Sequence, residues 1–189
     1  APGEYWGPGQ RFGAAPMSAG RIYWWATRNA PAGERAMPEQ AHALLRDLFA
    51  GWADPIPALI AATPPEAVLQ NDIADRPPLR RWSQGRITLL GDAAHPTTPN
   101  LGQGACMALE DAVALADALA AEHEVPAALQ AYERRRIPRT SQIVLQSRRI
   151  GQIGQWRNPL ACAARDALLR ALVAPRQAAA IDSVVGYRI

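Results

Sequence analysis

The chain has 189 residues, near the upper end of one ordinary domain and enough to bury a sizeable apolar core. Apolar residues make up 49% and charged residues 20%, a globular balance that excludes wholesale disorder. The formal charge is +3, and because all 20 basic residues are arginine, these residues supply neither a Schiff-base lysine nor a phosphate-loop lysine.

Neither the apolar runs nor the cysteines indicate a membrane segment, an export signal or a metal site. No run approaches the ~20 residues that span a bilayer, and residues 1–7 have neither a basic nor an apolar targeting region. Cys106 and Cys162 form no CxxC pair and are too few for a disulfide scaffold or a zinc module. We therefore expect a cytoplasmic protein with no membrane span and no metal.

The first 28 residues alternate glycines with short aromatic segments, a pattern that predicts strands joined by turns. Arg21–Thr27 is rich in β-forming residues and predicts one such strand. Because side chains alternate along a strand, this one presents two pairs of side chains to opposite faces, Tyr23 with Trp25 and Ile22 with Trp24.

A helix and a second strand are predicted between residues 38 and 73. After a loop over residues 29–37, Pro38–Ala50 has an apolar stripe at helical spacing and Gly51 to end it, which predicts a helix. Glu66–Ile73 lies between two proline pairs and predicts a further strand.

The middle of the chain predicts a buried strand, an irregular loop and a helix. Arg86–Leu90 is short and mostly apolar and ends at Gly91-Asp92, as expected of a buried strand. Residues 93–101 contain two prolines and cannot form a regular helix. From Gly102 onward, alanines and apolar residues recur at helical spacing, which predicts a helix packed closely against a neighbour.

Two more helices are predicted toward the end of the chain. The first runs from about Ala127 past Ser147, and the second covers about Leu160–Val173. The tail at Ile181–Ile189 is apolar enough to dock against the rest of the protein.

The first of these helices carries an arginine-rich stretch between Arg134 and Arg149. At ~100° per residue, its arginines spread widely around the helix instead of forming the single stripe that tracks phosphates. We therefore expect a solvated or carboxylate-paired helix surface and no nucleic-acid partner.

Residues 91–112, GDAAHPTTPNLGQGACMALEDA, combine several features of a ligand site. Asp92 is a carboxylate at the end of a strand, which suits hydrogen bonds to ligand hydroxyls. Gly102 and Gly104 let backbone N–H groups approach a ligand, because no Cβ intervenes. The helix that begins there adds about half a positive charge and favours an anionic group. From Gly-Asp alone, the alternative is an aspartate that caps a turn.

This run resembles the second flavin-contacting motif of the single-component class A FAD-dependent monooxygenases, the aromatic hydroxylases and epoxidases. Two upstream segments, WGPGQRFG at residues 6–13 and GRIYWWAT at residues 20–27, are similar to strands of that family's substrate domain. A downstream segment, LQAYERRRIPR at residues 129–139, is similar to its C-terminal helix. The resemblance extends along nearly the whole chain.

The resemblance implies roles for individual residues. Asp92 matches the aspartate that binds the ribityl chain of FAD, and the backbone around Gln103 would face the pyrimidine end of the flavin, where a helix N-terminus stabilises the negative charge of the reduced form. The Pro99 carbonyl helps shape the pocket for oxygen and substrate. Cys106 departs from the asparagine common at its place, but cysteine also occurs there among epoxidase-like members. The resemblance therefore favours flavin contact for Cys106, with simple packing as the alternative. The implied cofactor-binding residues are Gly91, Asp92, Pro99, Gly102, Gln103, Gly104, Ala105 and Cys106.

Two further groups of side chains have two interpretations each. Tyr23 and Trp25 line an aromatic or apolar substrate site if their face turns toward the flavin, and otherwise they belong to the core. His95 is either a structural residue that fixes the loop after Asp92 or a general base. Because the cofactor supplies the oxidant in this chemistry, no protein nucleophile is required, and the catalytic residues stay unassigned.

The implied fold is α/β, the C-terminal part of the three-layer FAD/NAD(P)-binding hydroxylase fold. Residues 1–80 would be the C-terminal portion of the substrate-binding sheet domain, and residues 81–189 that of the FAD-binding domain, with the second flavin-motif strand and a helical tail. No strand–GxGxxG–helix unit for the ADP half of FAD occurs in these residues. The chain therefore resembles the C-terminal half of a monooxygenase, as a truncated product, a proteolytic fragment or one part of a split protein.

The implied activity is hydroxylation or epoxidation of an aromatic or apolar small molecule with FAD, NAD(P)H and O2. We expect the missing N-terminal half to act in cis or as a second chain. Residues 1–189 alone are expected to lack FAD and activity, and to be unstable or homo-oligomeric. The alternative is a non-catalytic remnant or interaction module that keeps the fold without FAD. A flavin halogenase is disfavoured, because Trp24-Trp25 lacks the Trp-x-Trp-x-Ile-Pro pattern.

Overall fold

The computed structural model describes residues 3–173, which belong to two compact units. The first unit runs to Asp72 and also includes Gly154–Asn158. The second comprises Ile73–Ile153 and the described residues from Pro159 onward. Across this described part of the chain, no helix combines the length and the hydrophobicity needed to cross a membrane.

An antiparallel sheet forms the start of the first unit, as the glycine-punctuated sequence predicts. Its strands pair in chain order and are β1 (Gly3–Gly7), β2 (Gln10–Pro16) and β3 (Ile22–Arg28). Gly9 closes the turn between β1 and β2 with a φ of 69°, a left-handed conformation that glycine adopts without steric cost. The strand predicted over residues 21–27 is confirmed with a shift of one residue.

Two helices, α1 (Pro38–Phe49) and α2 (Ile56–Ala61), pack their buried side chains against one face of this sheet. Phe12 of β2 stacks on Trp24 with 5.3 Å between the ring centroids and meets Phe49 edge-on at 5.5 Å. The helix predicted over residues 38–50 is confirmed, whereas the sequence analysis predicts no element at α2, where prolines interrupt a short apolar run.

The opposite face of the sheet carries the other aromatic pair. The rings of Tyr23 and Trp25 lie 5.5 Å apart, and the Tyr23 side chain is 56% exposed. Trp25 lies directly across the ladder from Gly13, and a Cβ at position 13 would come within 2.1 Å of the indole. The predicted alternation is therefore confirmed: Trp24 enters the core, while Tyr23 and Trp25 lie on the face opposite α1 and α2.

The strand predicted over residues 66–73 is wrong. A 3₁₀ turn at Pro65–Ala67 is followed by backbone with no regular secondary structure, and Leu69 is 85% exposed. The segment is held by side chains instead, because the Ala36 N–H donates to Gln70 at 3.1 Å and the Gly33 N–H donates to Asp72 at 3.0 Å.

The first regular element of the second unit is a small hairpin of β4 (Ser83–Gln84) and β5 (Ile87–Thr88). The prediction of a buried strand over residues 86–90 is wrong in extent and in burial. Only two of its residues are strand, they pair antiparallel, and Ile87 is 75% exposed. The reason is local, since Gly85 turns the chain back on itself with a φ of 60° and no other described strand flanks the hairpin.

Three helices complete the second unit and confirm the helices predicted there. They are α3 (Gly104–Ala121), α4 (Val125–Gly154) and α5 (Pro159–Leu168), the last continued by a π-helical turn at Leu169–Val173. The non-helical character predicted for residues 93–101 is also confirmed, because only 3₁₀ turns occur there. The tail predicted to dock at Ile181–Ile189 lies outside the described residues.

Candidate functional site

Gly91 brings the loop after β5 against α3. Its φ is 59°, and a Cβ there would lie 3.3 Å from the Cβ of Ala108, so a side chain is both strained and crowded. The Gly91 N–H donates to Oδ2 of Asp111 at 3.1 Å. Position 91 therefore anchors the start of the loop to the middle of a helix.

Asp92, the next residue, presents a carboxylate that a ligand can use. It lies in the 3₁₀ turn Gly91–Ala93, and its side chain is exposed. Among residues 3–173, no group forms a hydrogen bond or ion pair with that carboxylate. A free carboxylate on a fixed turn is suited to accept hydrogen bonds from hydroxyl groups.

The N-terminus of α3 offers backbone donors a few residues further on. Gly102 has a left-handed φ of 63° with no atom within 4 Å of a would-be Cβ, so the approach to the helix is open. Gln103 occupies the N-cap position but is buried and caps nothing with its side chain. Met107 donates the first backbone bond of the helix, to Gln103 at 2.9 Å. The N–H groups of residues 104–106 are thus left for a ligand carbonyl or anion, with Ala105 and Cys106 exposed.

The turn that contains Pro99 is tied to α4. The amide nitrogen of Asn100 donates to the Thr98 hydroxyl and to the Ser147 carbonyl, both at 2.8 Å. The Ser147 hydroxyl donates to the Thr98 carbonyl at 2.6 Å. Pro99 itself is exposed, and its carbonyl accepts the Gly102 N–H at 2.9 Å. The position of this loop therefore depends on α4.

A buried polar network lies behind these exposed groups. Asp111 is fully buried, and its two oxygens accept from Nε2 of His95 at 2.5 Å and from Nε of Arg136 at 2.7 Å. Arg136 is also fully buried and pairs with Glu110 at 2.7 Å. The network joins the loop after β5, α3 and α4 by charge-assisted hydrogen bonds.

The hydrogen bonds of the network keep its central pair ionised. Burial alone raises the pKa of Asp111, but hydrogen bonds from His95, Arg136 and the Gly91 N–H outweigh burial and hold that pKa below its ordinary value. Burial alone lowers the pKa of Arg136, but hydrogen bonds to Asp111 and Glu110 hold that pKa above its ordinary value.

The environment of His95 favours the structural interpretation of this residue over a general base. The residue is 3% exposed, and its ring lies 5.5 Å from the ring of Trp82. Its Nδ1 is buried and has no hydrogen-bond partner among the described residues. With Nε2 bonded to Asp111 and Nδ1 buried, neither ring nitrogen faces solvent.

The arginines of α4 are mostly paired with carboxylates, as the sequence analysis predicts, but one of them is not on the surface. Arg135 pairs with Asp117, Arg139 with Glu110 and Arg148 with Asp75, at 3.1, 2.9 and 2.8 Å. Arg136 is the correction, because it lies in the interior with Asp111 as its partner.

No role is predicted from the sequence for Asp111 or Arg136, although a periodic signal exists for both. Asp111 lies four residues after Met107 and three before Ala114, and all three are buried on one face of α3. Arg136 lies four residues after Tyr132 and four before Thr140, which are buried as well. A charged residue at a core position of each of two helices indicates a buried ion pair.

Acid is expected to destabilise the second unit through Asp111. A carboxyl whose pKa is lower in the folded state contributes stability above its unfolded pKa and loses it as the pH falls through the folded pKa. We therefore expect the free energy of unfolding to fall below about pH 4, the ordinary carboxyl range. Urea denaturation of the complete protein at neutral pH and at about pH 3 measures it. The Asp111→Asn variant should show a flatter pH dependence, and equal slopes in both proteins would contradict the assignment.

Comparison with known proteins agrees with the resemblance noted in the sequence. A profile of the FAD binding domain matches residues 9–147. Aurachin C monooxygenase/isomerase of Stigmatella aurantiaca is 52% identical over 173 residues, which cover 92% of this chain and 45% of that protein. FAD-dependent urate hydroxylase of Klebsiella pneumoniae subsp. pneumoniae is 42% identical over 153 residues, 79% of this chain and 40% of that protein. The chain thus spans less than half the length of these curated relatives.

Solved structures show the same fold. Klebsiella pneumoniae HpxO complexed with FAD and uric acid matches with a TM-score of 0.89 and 36% identity, over 96% of this chain and 46% of that one. FqzB matches with a TM-score of 0.69 and 28% identity, over 98% of this chain and 49% of that one. The predicted fold class, part of a flavoprotein hydroxylase fold with mixed helices and sheet, is confirmed. The chain belongs to the FAD binding domain family of the class A FAD-dependent monooxygenases.

Proposed function

We propose that the complete protein hydroxylates or epoxidises an aromatic or apolar small molecule with FAD, NAD(P)H and O2, in the cytoplasm, and that this chain is its C-terminal half. The observation that carries the proposal is the pairing of a free, exposed carboxylate at Asp92 with an uncapped helix N-terminus at Gly104. Together they match the two polar demands of a flavin nucleotide, a hydroxylated chain and an edge that becomes anionic.

The residues of the site fit FAD group by group. The Asp92 carboxylate would accept hydrogen bonds from the ribityl hydroxyls, and Gly91 sets the turn that presents it. The open approach at Gly102 and the N–H groups of residues 104–106 would serve the pyrimidine edge, while Gln103 supports them from the interior. The Pro99 carbonyl would border the ring, and Cys106, which is exposed, would contact it. When bound, FAD supplies the oxygen-activating chemistry, so these residues bind and orient without a protein nucleophile.

The substrate is assigned to the first unit. We infer that residues 1–80 belong to the substrate-binding sheet domain and residues 81–189 to the FAD-binding domain. Tyr23 and Trp25 form an aromatic surface on the sheet face opposite α1 and α2, which suits a planar or apolar molecule. The two curated relatives are named for aurachin C and urate, which supports a small-molecule substrate.

The outer face of α3 is assigned as the surface that contacts the rest of the protein. The alanine-rich stripe predicted to pack against a neighbour is largely uncovered, with Leu109 71% and Leu119 45% exposed. Ile87, in the hairpin of the same unit, is 75% exposed as well. An apolar face of this kind is an interaction surface. We infer that the missing N-terminal half covers it, in cis or as a second chain, with self-association as the alternative for residues 1–189 alone.

The flavin content of the purified protein tests the proposed function. We expect the complete protein to show flavin absorbance and to consume O2 with NADH or NADPH when a panel of aromatic and apolar compounds is added. Residues 1–189 alone are expected to show neither, and addition of the other half should restore both. A complete protein that neither carries nor binds FAD would instead be a non-catalytic remnant.

Replacement of Asp92 by alanine is expected to weaken FAD binding by about 1.5–3 kcal/mol, the range for a hydrogen bond to a charged group. This corresponds to a ten- to hundredfold higher Kd, measured by titrating the complete apoprotein with FAD. Asp117→Ala is the matched control, because Asp117 is an exposed aspartate of the same unit that pairs with Arg135. An unchanged affinity in folded Asp92→Ala would remove Asp92 from the site.

A further inference from the structure

We propose that Asp111, which does not itself reach the ligand side of the loop, is the positioning residue that holds Asp92 in place for the cofactor. The inference rests on the proposed function. Its basis is that one buried carboxylate binds the residue before Asp92, through the Gly91 N–H at 3.1 Å, and a residue after it, through the His95 ring at 2.5 Å.

The backbone around Asp92 forms a closed turn that these two bonds fasten at both ends. The carbonyl of Gly91 accepts the N–H groups of Ala94 and His95 at 2.8 and 2.9 Å, so residues 91–95 form one compact loop. The Gly91 N–H and the His95 side chain then return to the same oxygen, Oδ2 of Asp111. Rotation of the turn, which would redirect the Asp92 side chain, requires both bonds to break.

The position of Asp111 is fixed in turn by α4. Its second oxygen accepts from Nε of Arg136 at 2.7 Å, and the Arg136 guanidinium also donates to the Met107 carbonyl at 3.3 Å. The guanidinium is tied to Glu110 as well, which pairs with Arg139 at 2.9 Å. The buried pair of Asp111 and Arg136 therefore fixes the position of Gly91. Through Gly91 it also fixes the exposed carboxylate of Asp92, the next residue.

A double-mutant cycle tests this proposal in the complete protein. Asp111→Asn is expected to raise the Kd for FAD roughly tenfold, the loss of one hydrogen bond to a charged group. The matched control, Asp117→Asn, makes the same change on an exposed part of α3 and should leave the Kd unchanged. In the Asp92→Ala background, Asp111→Asn should change the Kd by less than about twofold, because the group it positions is gone. If Asp111→Asn acted through a general loss of structure, it would raise the Kd for FAD by the same factor in both backgrounds.

A second pair of variants gives the same test if Asp111→Asn does not fold. His95→Gln keeps an N–H that reaches Asp111 and should bind FAD as the parent does, whereas His95→Leu loses that bond and should bind FAD more weakly. Full additivity of Asp111→Asn with Asp92→Ala, or equal affinities of the two His95 variants, would overturn the positioning role. If Asp92→Ala itself leaves the affinity unchanged, the proposed cofactor site is wrong instead.

Discussion

Replacement of Arg136 by methionine is expected to lower the free energy of unfolding by about 3–5 kcal/mol, because it leaves a buried carboxylate without its counter-charge. Methionine keeps most of the length of the side chain but none of its five N–H donors. Asp111 is fully buried, so its carboxylate has no solvent-exposed surface in the folded protein. Chemical denaturation of the complete protein, followed by circular dichroism, measures the change.

Arg135→Met is the matched control for this prediction. Arg135 is the preceding residue on the same helix, but its side chain is 37% exposed and its partner Asp117 is 56% exposed. A solvent-exposed pair of this kind contributes about 0–1 kcal/mol. Adding Asp111→Asn to Arg136→Met should recover part of the loss, because the stranded charge disappears while an oxygen remains for the Gly91 N–H. Equal costs for the two arginine substitutions would contradict the buried-pair assignment.

Replacement of Phe12 by alanine is expected to cost about 3–5 kcal/mol, the usual range for a buried phenylalanine. Phe12 is fully buried at the centre of the first unit, stacked on Trp24 and edge-on to Phe49. Its loss leaves a cavity between the sheet and α1 that neither neighbouring ring can fill without leaving its own contacts. The same denaturation experiment measures the change.

Two variants with smaller expected losses of stability serve as controls for Phe12→Ala. Phe12→Leu keeps most of the apolar volume and should cost less than about 1.5 kcal/mol. Tyr23→Ala removes an aromatic ring from the other face of the sheet, where it is 56% exposed, and should cost less than about 1 kcal/mol. If Phe12→Ala were no less stable than Tyr23→Ala, the assignment of the core to the sheet face that carries Phe12 would be contradicted.

Periodicity predicts the helices and the first sheet well, because each buries one face within its own unit. Pro38–Phe49 and Ile22–Arg28 begin and end within about a residue of the predicted limits. Periodicity fails where an apolar run has no partner strand among the described residues. Residues 66–73 and 86–90 both contain β-forming residues, but a strand forms only when a second strand pairs with it. Residues 66–73 have no such partner among the described residues, and residues 86–90 have only the other half of a two-residue hairpin.

The exposed half of the candidate site could be predicted from the sequence, whereas its buried half could not. Asp92, Gly102 and Gly104 stand out because glycine and aspartate at the junction of a strand and a helix have local physical reasons to be there. Asp111 and Arg136 owe their positions to each other, across two helices, and a single helix pattern shows each only as a charge among apolar residues. Pairing between helices is information that local propensity does not contain.

Because Gly13 and Trp25 are in contact, the side-chain sizes tolerated at these two positions during evolution depend on each other. Because the indole occupies the space of a side chain at position 13, a lineage that enlarges residue 13 must first shrink residue 25. That order, a small residue at 25 followed by a larger one at 13, passes through an intermediate with an open notch in the sheet, whereas the opposite order begins with a steric clash against the indole. A smaller residue at position 25 followed by a larger one at position 13 would thus change the shape of the aromatic surface in two tolerated substitutions. For the proposal that this surface binds the substrate, the consequence is a defined order of mutations by which its shape changes.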